Sequence, residues 1–186
     1  MRLFVALVPP EAARRSIAEQ IASERASLPS ASWVREQNLH LTLLFLGEVD
    51  EAQAARAAHA FAAAGAAPLS ALVTMPVAGG FPAHGPIRVV WLALEPAQEL
   101  ARLAGTLRAA AERAGLPFDA KPFHPHLTLA RCRTPWPSAL RPGLARLVPP
   151  SSPAFRAERL TLVSSVPGPS GPTYTQISEI ALEEAA

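Results

Sequence analysis

The tetrapeptide HLTL occurs twice in this chain, and its two copies constrain the fold more than any other feature. The first copy begins at His40 and the second at His126, 86 residues later. Arg2 and Arg88, which each open an apolar segment, are separated by the same 86 residues. An apolar segment, a helical pattern and HLTL therefore recur at one spacing, which indicates an internal repeat.

The repeat predicts a single bilobal domain over residues 1–186, with pseudo-repeats at approximately 2–48 and 88–134. A chain of this length can bury a core of its own. The Pro–Gly stretches are typical of turns within a domain. We expect the two HLTL strands to be partners across a central cleft.

The remaining elements follow from periodicity and from the positions of glycine and proline. A buried strand is predicted at the N-terminus, and the sequence GGFPAHGP predicts a loop by its composition. Further strands are predicted at 69–77 and 88–94, and helices at about 51–64 and 98–114.

Composition narrows the functional classes. A formal net charge of +2 is too small for a nonspecific nucleic-acid coat, and the single cysteine, Cys132, supports neither a disulfide framework nor a thiolate zinc site. No apolar run approaches the roughly 20 residues of a membrane span, and the N-terminal apolar run is too short for a signal peptide. We expect a cytoplasmic monomer.

The two motifs place the same chemistry on two strands. Residues i and i+2 of a strand face the same side, so His40 lies beside Thr42, and His126 beside Thr128. Two imidazoles that titrate near neutral pH can act as an acid and a base together. The threonine hydroxyls can hold the nonbridging oxygens of a phosphate. This set fits hydrolysis of a phosphodiester without a metal.

The chain resembles the two-histidine (2H) phosphoesterases, and among them the RNA 2′,3′-cyclic phosphodiesterases, also known as 2′–5′ RNA ligases. The resemblance rests on the paired H-x-T-x motifs in the segments WVREQNLHLTLLFLGEV and FHPHLTLAR, and on RLFVALVPP and GGFPAHGPIRVVWLAL. It implies an α+β fold, the bilobal 2H fold, in which two pseudo-symmetric antiparallel sheets line a central cleft, with helices outside. It also implies that no metal or nucleotide cofactor is needed.

The same resemblance implies roles for the motif residues. The substrate is an RNA end or a nucleotide with a 2′,3′-cyclic phosphate, and the product is a 2′-phosphate. His40 protonates the departing O3′, and His126 activates water. Thr42 and Thr128 bind phosphate oxygens. Because the motifs are symmetric, the residues alone leave the acid and base roles exchangeable.

The resemblance implies that two more residues contact the substrate, although their spacing in the sequence argues against a position on the same face as the motif histidines. Arg131 matches an arginine that contacts the phosphate and covers the base, and Phe45 matches an aromatic ring that stacks on the nucleobase. Each lies five residues after a motif histidine. In a regular strand that separation places it on the opposite face, so a bulge, a twist or a strand end is required, near Gly47 for the first strand.

Other functions stay open at this stage. The same acid and base run in reverse would join RNA ends by an ATP-independent 2′–5′ linkage. A noncatalytic module that binds an RNA end or a nucleotide would use the same phosphate ligands. The physiological substrate, whether RNA, tRNA halves or a small cyclic nucleotide, is not fixed by the sequence.

Several further residues have more than one interpretation. His124 and His126 form an H-x-H pair that can bind a metal, but a third ligand from the other motif would consume both motif histidines. His84 and Phe81 lie in the predicted loop, where His84 could border the cleft and Phe81 is expected in a core. Tyr174 is expected to bond a neighbouring loop through its hydroxyl.

Overall fold

The computed structural model describes residues 1–64, 72–151, 154–168 and 172–182. Three α-helices and eight strands occur in these ranges. The helices are α1 (Glu11–Glu24), α2 (Glu51–Ala64) and α3 (Ala97–Arg113). The strands are β1 (Arg2–Leu7), β2 (Ser32–Trp33), β3 (Leu41–Glu48), β4 (Ala78–Phe81), β5 (Ile87–Ala93), β6 (His126–Trp136), β7 (Arg159–Val166) and β8 (Thr173–Ala181).

The strands form an antiparallel arrangement in the order β4-β5-β6-β3-β1-β7-β8, with β2 paired to β6. One half holds β1, β3, β7 and β8, and the other holds β2, β4, β5 and β6. The halves are joined by a single register pair, Leu41 with Leu127, which are the leucines of the two HLTL motifs. The predicted α+β architecture with antiparallel strands is confirmed. The two HLTL strands are neighbours, as expected, and their pairing joins the two halves of the sheet.

The main core lies on one face of the sheet, under the helices. In β1 the alternate residues Leu3, Val5 and Leu7 belong to it. Phe4 and Ala6, which point the other way, form a separate small cluster with Val163. This alternation with a period of two is typical of a strand whose side chains pack on both faces of the sheet. The second face is the one that carries the cleft described below.

The chain around β4 differs from the sequence prediction. The predicted strand at 69–77 is wrong within the described residues, where only isolated bridges at Val73 and Thr74 occur. Residues 69–71 lie outside the described ranges. The strand begins instead at Ala78 and contains Gly79 and Gly80, the first two glycines of the predicted loop.

The glycines are in this strand because large side chains of β5 lie over them. A Cβ on Gly79 would meet two ring carbons of Trp91 at 2.4 Å, and one on Gly80 would lie 2.6 Å from Ile87. The Trp91 ring can therefore cross β4 only where β4 has no side chain.

Within the described ranges, the structure contains neither a helix that could span a membrane nor a group of residues that could bind a metal ion. No helix there combines the length and the apolar composition that are needed to cross a bilayer. In the same part of the chain, no three residues among His, Cys, Asp and Glu are grouped so that they could hold a metal ion.

Candidate active site

A cleft of about 940 Å³ lies where the two halves of the sheet meet. Its walls come from β1, β3 and the β7–β8 hairpin on one side, and from β2 and β6 on the other. All six residues that the sequence singled out line it: His40, Thr42, Phe45, His126, Thr128 and Arg131. Residues from distant parts of the chain are thus brought to one site.

Two bulges explain how Phe45 and Arg131 face the same cleft as the threonines. In β3, Ala6 pairs with Thr42 and Val5 with Leu44, so Leu43 has no partner on β1. An extra residue in one strand shifts the alternation of faces by one position. Phe45, three residues after Thr42, therefore lies on the side of Thr42.

The second strand has the same irregularity at the same place. In β6, Trp91 pairs with Thr128 and Val90 with Ala130, so Leu129 is left without a partner on β5. Arg131 then lies on the side of Thr128. The bulges at Leu43 and Leu129 occupy the last position of HLTL in each motif. The expected bulge is present within the motif at Leu43. A second register shift leaves Leu46, beside Gly47, without a partner on β1, but it follows Phe45 and does not change the face of Phe45 relative to Thr42.

Both histidines are held in one tautomer by the backbone. Nδ1 of His40 lies 2.7 Å from the carbonyl oxygen of Asn38, and Nδ1 of His126 lies 2.7 Å from that of His124. A carbonyl oxygen only accepts hydrogen bonds, so each Nδ1 carries a proton and donates it. In the neutral rings, Nε2 is then the nitrogen with the free lone pair. Each imidazole can therefore exchange a proton through Nε2.

Aromatic rings enclose His40. Phe4 stacks on it with centroids 4.9 Å apart, and the ring of Tyr174 stands perpendicular to it at 5.3 Å. Burial lowers the pKa of His40 below its usual 6.5, because a charged imidazole loses solvation there. The hydrogen bond to Asn38 opposes this, and the charges of Arg131 and His126 lower the pKa further.

His126 has different neighbours. Its ring meets Phe81 edge to face with centroids 5.1 Å apart, and the centroids of Phe81 and His124 are 6.2 Å apart. Burial again lowers the pKa of His126, against the hydrogen bond to His124. The charges of His124 and Arg131 add to this lowering. Phe81, expected in a core, instead packs against a motif histidine.

The cleft is electropositive. Arg2, Arg35 and Arg133 line it together with Arg131, and no carboxylate is among the described lining residues. Arg2 also donates to Glu48 at 2.8 Å through Nε, in an exposed ion pair. Grouped guanidinium groups favour the binding of phosphate.

The sequence analysis missed residues that reach the cleft across the sheet. Arg2 pairs with Ser165, which pairs with Tyr174, so these three lie in one row beside the cleft. The period of two in β1 places Arg2 and Phe4 on one face and was available from the sequence. The position of Tyr174 depends on the register of the β7–β8 hairpin, which the sequence does not show. The exposed His84 is not among the described residues that line the cleft.

With this geometry, the chain can be compared with known proteins. The sequence pattern of the 2′-5′ RNA ligase superfamily matches residues 8–168, which include both motifs. The chain belongs to the 2′-5′ RNA ligase superfamily. The resemblance seen in the paired motifs is confirmed.

Relatives in this superfamily cover nearly the whole chain. The chain is 37% identical to a protein of Thermus thermophilus over 98% of its own length and 90% of that protein. It is 32% identical to one of Archaeoglobus fulgidus over 95% of its own length and 98% of that protein. Both relatives bear the name RNA 2′,3′-cyclic phosphodiesterase.

Solved structures of the superfamily share the fold. TT0787 of Thermus thermophilus matches with a TM-score of 0.80 and 32% identity over 100% of both chains. Escherichia coli LigT in apo form matches with a TM-score of 0.74 and 29% identity over 98% of both chains. The bilobal 2H fold expected from the sequence is thereby confirmed.

Proposed function

We propose that this chain hydrolyses 2′,3′-cyclic phosphates on RNA ends or nucleotides to 2′-phosphates, with its two motif histidines as acid and base. The observation that carries the proposal is one cleft in which two imidazoles each keep Nε2 available while Nδ1 is bound to a carbonyl oxygen. The names of the relatives support cyclic phosphate hydrolysis as the reaction.

In the proposed reaction, neutral His126 removes a proton from water through Nε2. The water oxygen forms a bond to phosphorus, and the bond from phosphorus to O3′ breaks. The imidazolium of His40 donates its Nε2 proton to O3′, which leaves as a hydroxyl and gives a 2′-phosphate. Solvent then returns both rings to their starting states. General acid–base groups typically contribute about 10² to 10⁴-fold in rate.

The phosphate is held by neighbours of the two histidines. Thr42 and Thr128 donate hydrogen bonds from their hydroxyls to the nonbridging oxygens. Arg131 offsets the charge that develops on these oxygens, which is where preorganised donors act most strongly. Phe45, 38% exposed on the cleft wall, offers its ring to the nucleobase. Asp119 donates its backbone N–H to the carbonyl of Phe45 at 2.8 Å and so anchors this position.

The substrate is an RNA end or a nucleotide. E. coli LigT has been solved in complex with 3′-AMP, which supports a nucleotide in the equivalent cleft of this chain. A cleft lined by arginines fits a phosphate-bearing ligand. Because both halves of one chain build this cleft, we propose that a monomer suffices, acting in the cytoplasm.

We further propose that the two halves arose as repeats, at approximately 2–48 and 88–134. Support comes from the matching HLTL spacing, the matching hydrogen bonds of His40 and His126 two residues back, and the bulges at Leu43 and Leu129. The site would then be built around a local pseudo-twofold relation, with one histidine from each half.

A product assay tests the proposed hydrolysis. Purified protein is incubated with cytidine 2′,3′-cyclic phosphate in EDTA, and the 2′- and 3′-phosphates are separated by chromatography. We expect only the 2′-phosphate. His40→Ala and His126→Ala should each lower kcat/KM at least ~10²-fold, and the double variant should lose less than the product of the two.

His59→Ala is the matched control, because His59 is exposed on α2, away from the cleft. It should retain the parent rate. A 3′-phosphate product would contradict the assigned leaving group. Binding of the cyclic nucleotide without turnover would instead favour the noncatalytic module.

A further inference from the structure

Arg133 lines the same cleft as the motif histidines, and the proposed hydrolysis gives it no role. Within the described part of the chain, its side chain forms neither a hydrogen bond nor an ion pair. Arg2, on the other side of the cleft, is instead bound to Glu48. The charge of Arg133 is therefore not offset by a described carboxylate, and its guanidinium is available to an anion in the cleft.

An irregular segment of β6 carries Arg133 to this position. Residues 132–135 of β6 stand opposite Arg88 alone in β5, between the register pairs on either side. Extra residues of this kind bend a strand and re-aim its side chains, often next to active sites. Arg133 lines the cleft, whereas Arg88 is not among the described lining residues. The two arginines are thus close in the sheet but differ in their access to the site.

The position of Arg133 follows from its distance to Arg131 along the chain. The proposed reaction places Arg131 at the cyclic phosphate. Arg133 is two residues further on, and two residues of extended chain span at most about 7 Å. Both arginines are exposed, at the open end of the cleft. Arg133 therefore lies beside the proposed phosphate site, on the side away from the motif histidines along β6.

The shape of the ribose directs the rest of the substrate toward this end of the cleft. In a 2′,3′-cyclic nucleotide the two oxygens that carry the phosphate lie on one face of the ribose, and the base and C5′ project from the other. With the cyclic phosphate between His40 and His126, the base and C5′ both extend away from these rings. An RNA strand continues from C5′ through a phosphate that carries a negative charge.

We propose that Arg133 binds the phosphate that joins the terminal nucleotide of an RNA to the nucleotide before it. The site then takes the 3′ end of an RNA chain in preference to a free cyclic mononucleotide. This role rests on the proposed function, because it requires the cyclic phosphate to lie between the motif histidines. A guanidinium suits it, since it can donate two parallel hydrogen bonds to one phosphate.

The test varies the charge of the internucleotide linkage. Two dinucleotides have adenosine joined to cytidine 2′,3′-cyclic phosphate, one through a phosphodiester and one through an uncharged methylphosphonate. Cytidine 2′,3′-cyclic phosphate itself is the third substrate and reports the proposed hydrolysis without a linkage. For the parent, we expect kcat/KM of the charged dinucleotide to exceed that of the uncharged one by about tenfold, as for one hydrogen-bonded contact between charged groups.

Arg133→Gln should remove this preference, so that the ratio of kcat/KM between the two dinucleotides falls to near one. Arg133→Lys retains the charge and should keep part of the preference. Arg88→Gln is the matched control, since it removes the same charge from an exposed arginine opposite the same segment but outside the described lining of the cleft. It should keep the ratio of the parent.

The dependence on salt provides a readout that a change of shape would not give. For the charged dinucleotide, kcat/KM measured well below saturation should fall as the salt concentration rises. In Arg133→Gln the slope of log kcat/KM against log salt concentration should be shallower by about 0.7, the contribution of one phosphate contact on a single strand. The uncharged dinucleotide should give the same slope in the parent and in Arg133→Gln.

The outcomes separate the phosphate contact from the hydrolysis. Equal kcat/KM values for the two dinucleotides in the parent overturn the role of Arg133. An equal loss of preference in Arg88→Gln and Arg133→Gln also overturns it. Either result leaves the hydrolase in place when the cyclic mononucleotide is still converted to its 2′-phosphate. If none of the three substrates is hydrolysed, the proposed function is wrong, and the role of Arg133 fails with it.

Discussion

Phe4 stacks on the imidazole of His40, with centroids 4.9 Å apart and ring planes 26° from parallel. Phe4 is itself 3% exposed and belongs to the small apolar cluster on the cleft face of the sheet. Its ring shields one face of the imidazole from water. Burial is the largest cause that lowers the pKa of His40, and Phe4 is one of the rings that bury it.

Phe4→Ala is therefore expected to raise the pKa of His40 toward 6.5. Water would reach the exposed face of the ring and solvate the imidazolium. NMR titration of the histidine ring protons measures the change directly. The pKa of His126, whose ring packs against Phe81 and not Phe4, should move far less in the same sample. An unchanged or lower pKa of His40 would show that Phe4 does not provide the shielding.

The dependence of activity on pH follows from both histidines. In the free protein the pKa of each is lowered mainly by burial. The reaction needs His40 protonated and His126 neutral. We therefore expect kcat/KM to fall at pH values above the higher and below the lower of the two apparent pKa values of the histidine pair. We expect the optimum of kcat/KM below pH 6.5 and a decline toward neutral pH.

A bound phosphate changes this profile in a predictable direction. Its negative charge stabilises both imidazolium forms and raises both pKa values. The optimum of kcat, measured at saturating cyclic nucleotide, should therefore lie at higher pH than that of kcat/KM. Rate profiles at low and at saturating substrate provide the comparison. Coincident profiles, or an optimum of kcat at lower pH, would contradict a phosphate placed between the two rings.

The threonine hydroxyls can be tested with little change in shape. Thr42→Val and Thr128→Val should each lower kcat/KM about tenfold or more, since a hydrogen bond to a charged group contributes about 1.5–3 kcal/mol. Thr134→Val is the control, because Thr134 is exposed on β6 and outside the described lining of the cleft. Equal kcat/KM values in all three variants would show that the hydroxyls of Thr42 and Thr128 do not bind the phosphate.

The repeated motif made much of the site predictable. A strand period of two placed His40 with Thr42 and His126 with Thr128, and the common spacing of the copies pointed to partner strands. The structure brings these four residues into one cleft. Such inferences succeed because they depend only on local geometry and on the identity of the two tetrapeptides.

The features that the sequence missed depend on register. Leu43 and Leu129 are apolar residues like their neighbours, and only the pairing with β1 and β5 shows that each is the extra residue of a bulge. Tyr174 reaches His40 because two consecutive strand pairings align it with Arg2. No local pattern carries such information, because it is fixed by strands far apart in the chain.

Glycine content misled the interpretation of β4 for a different reason. Gly79 and Gly80 favour a turn by composition, yet they lie in a strand where the side chains of β5 cross over them. The need for a residue without a Cβ comes from Trp91, twelve positions later, and not from the local backbone. Composition alone does not distinguish a glycine that permits a turn from one that permits a close contact.

Gly79→Ala tests this close contact. The new Cβ would lie 2.4 Å from two carbons of the Trp91 ring, so the ring or β4 must move. Overpacking of this kind typically costs about 1–3 kcal/mol, and we expect the free energy of unfolding in urea to fall by that amount. Phe81 packs against both Trp91 and His126, so a displaced Trp91 should also lower kcat/KM for the cyclic nucleotide.

Gly105→Ala is the matched control for this substitution. Gly105 lies within α3, where an added Cβ would meet no atom within 4 Å. Alanine is favoured over glycine in a helix interior by roughly 0.5–1 kcal/mol, so this variant should be more stable than the parent. Opposite signs for two identical substitutions would separate the steric contact with Trp91 from the general effect of replacing a glycine. A Gly79→Ala variant as stable as the parent would mean that β4 tolerates a side chain at this position, and the packing of Trp91 would then not require glycine.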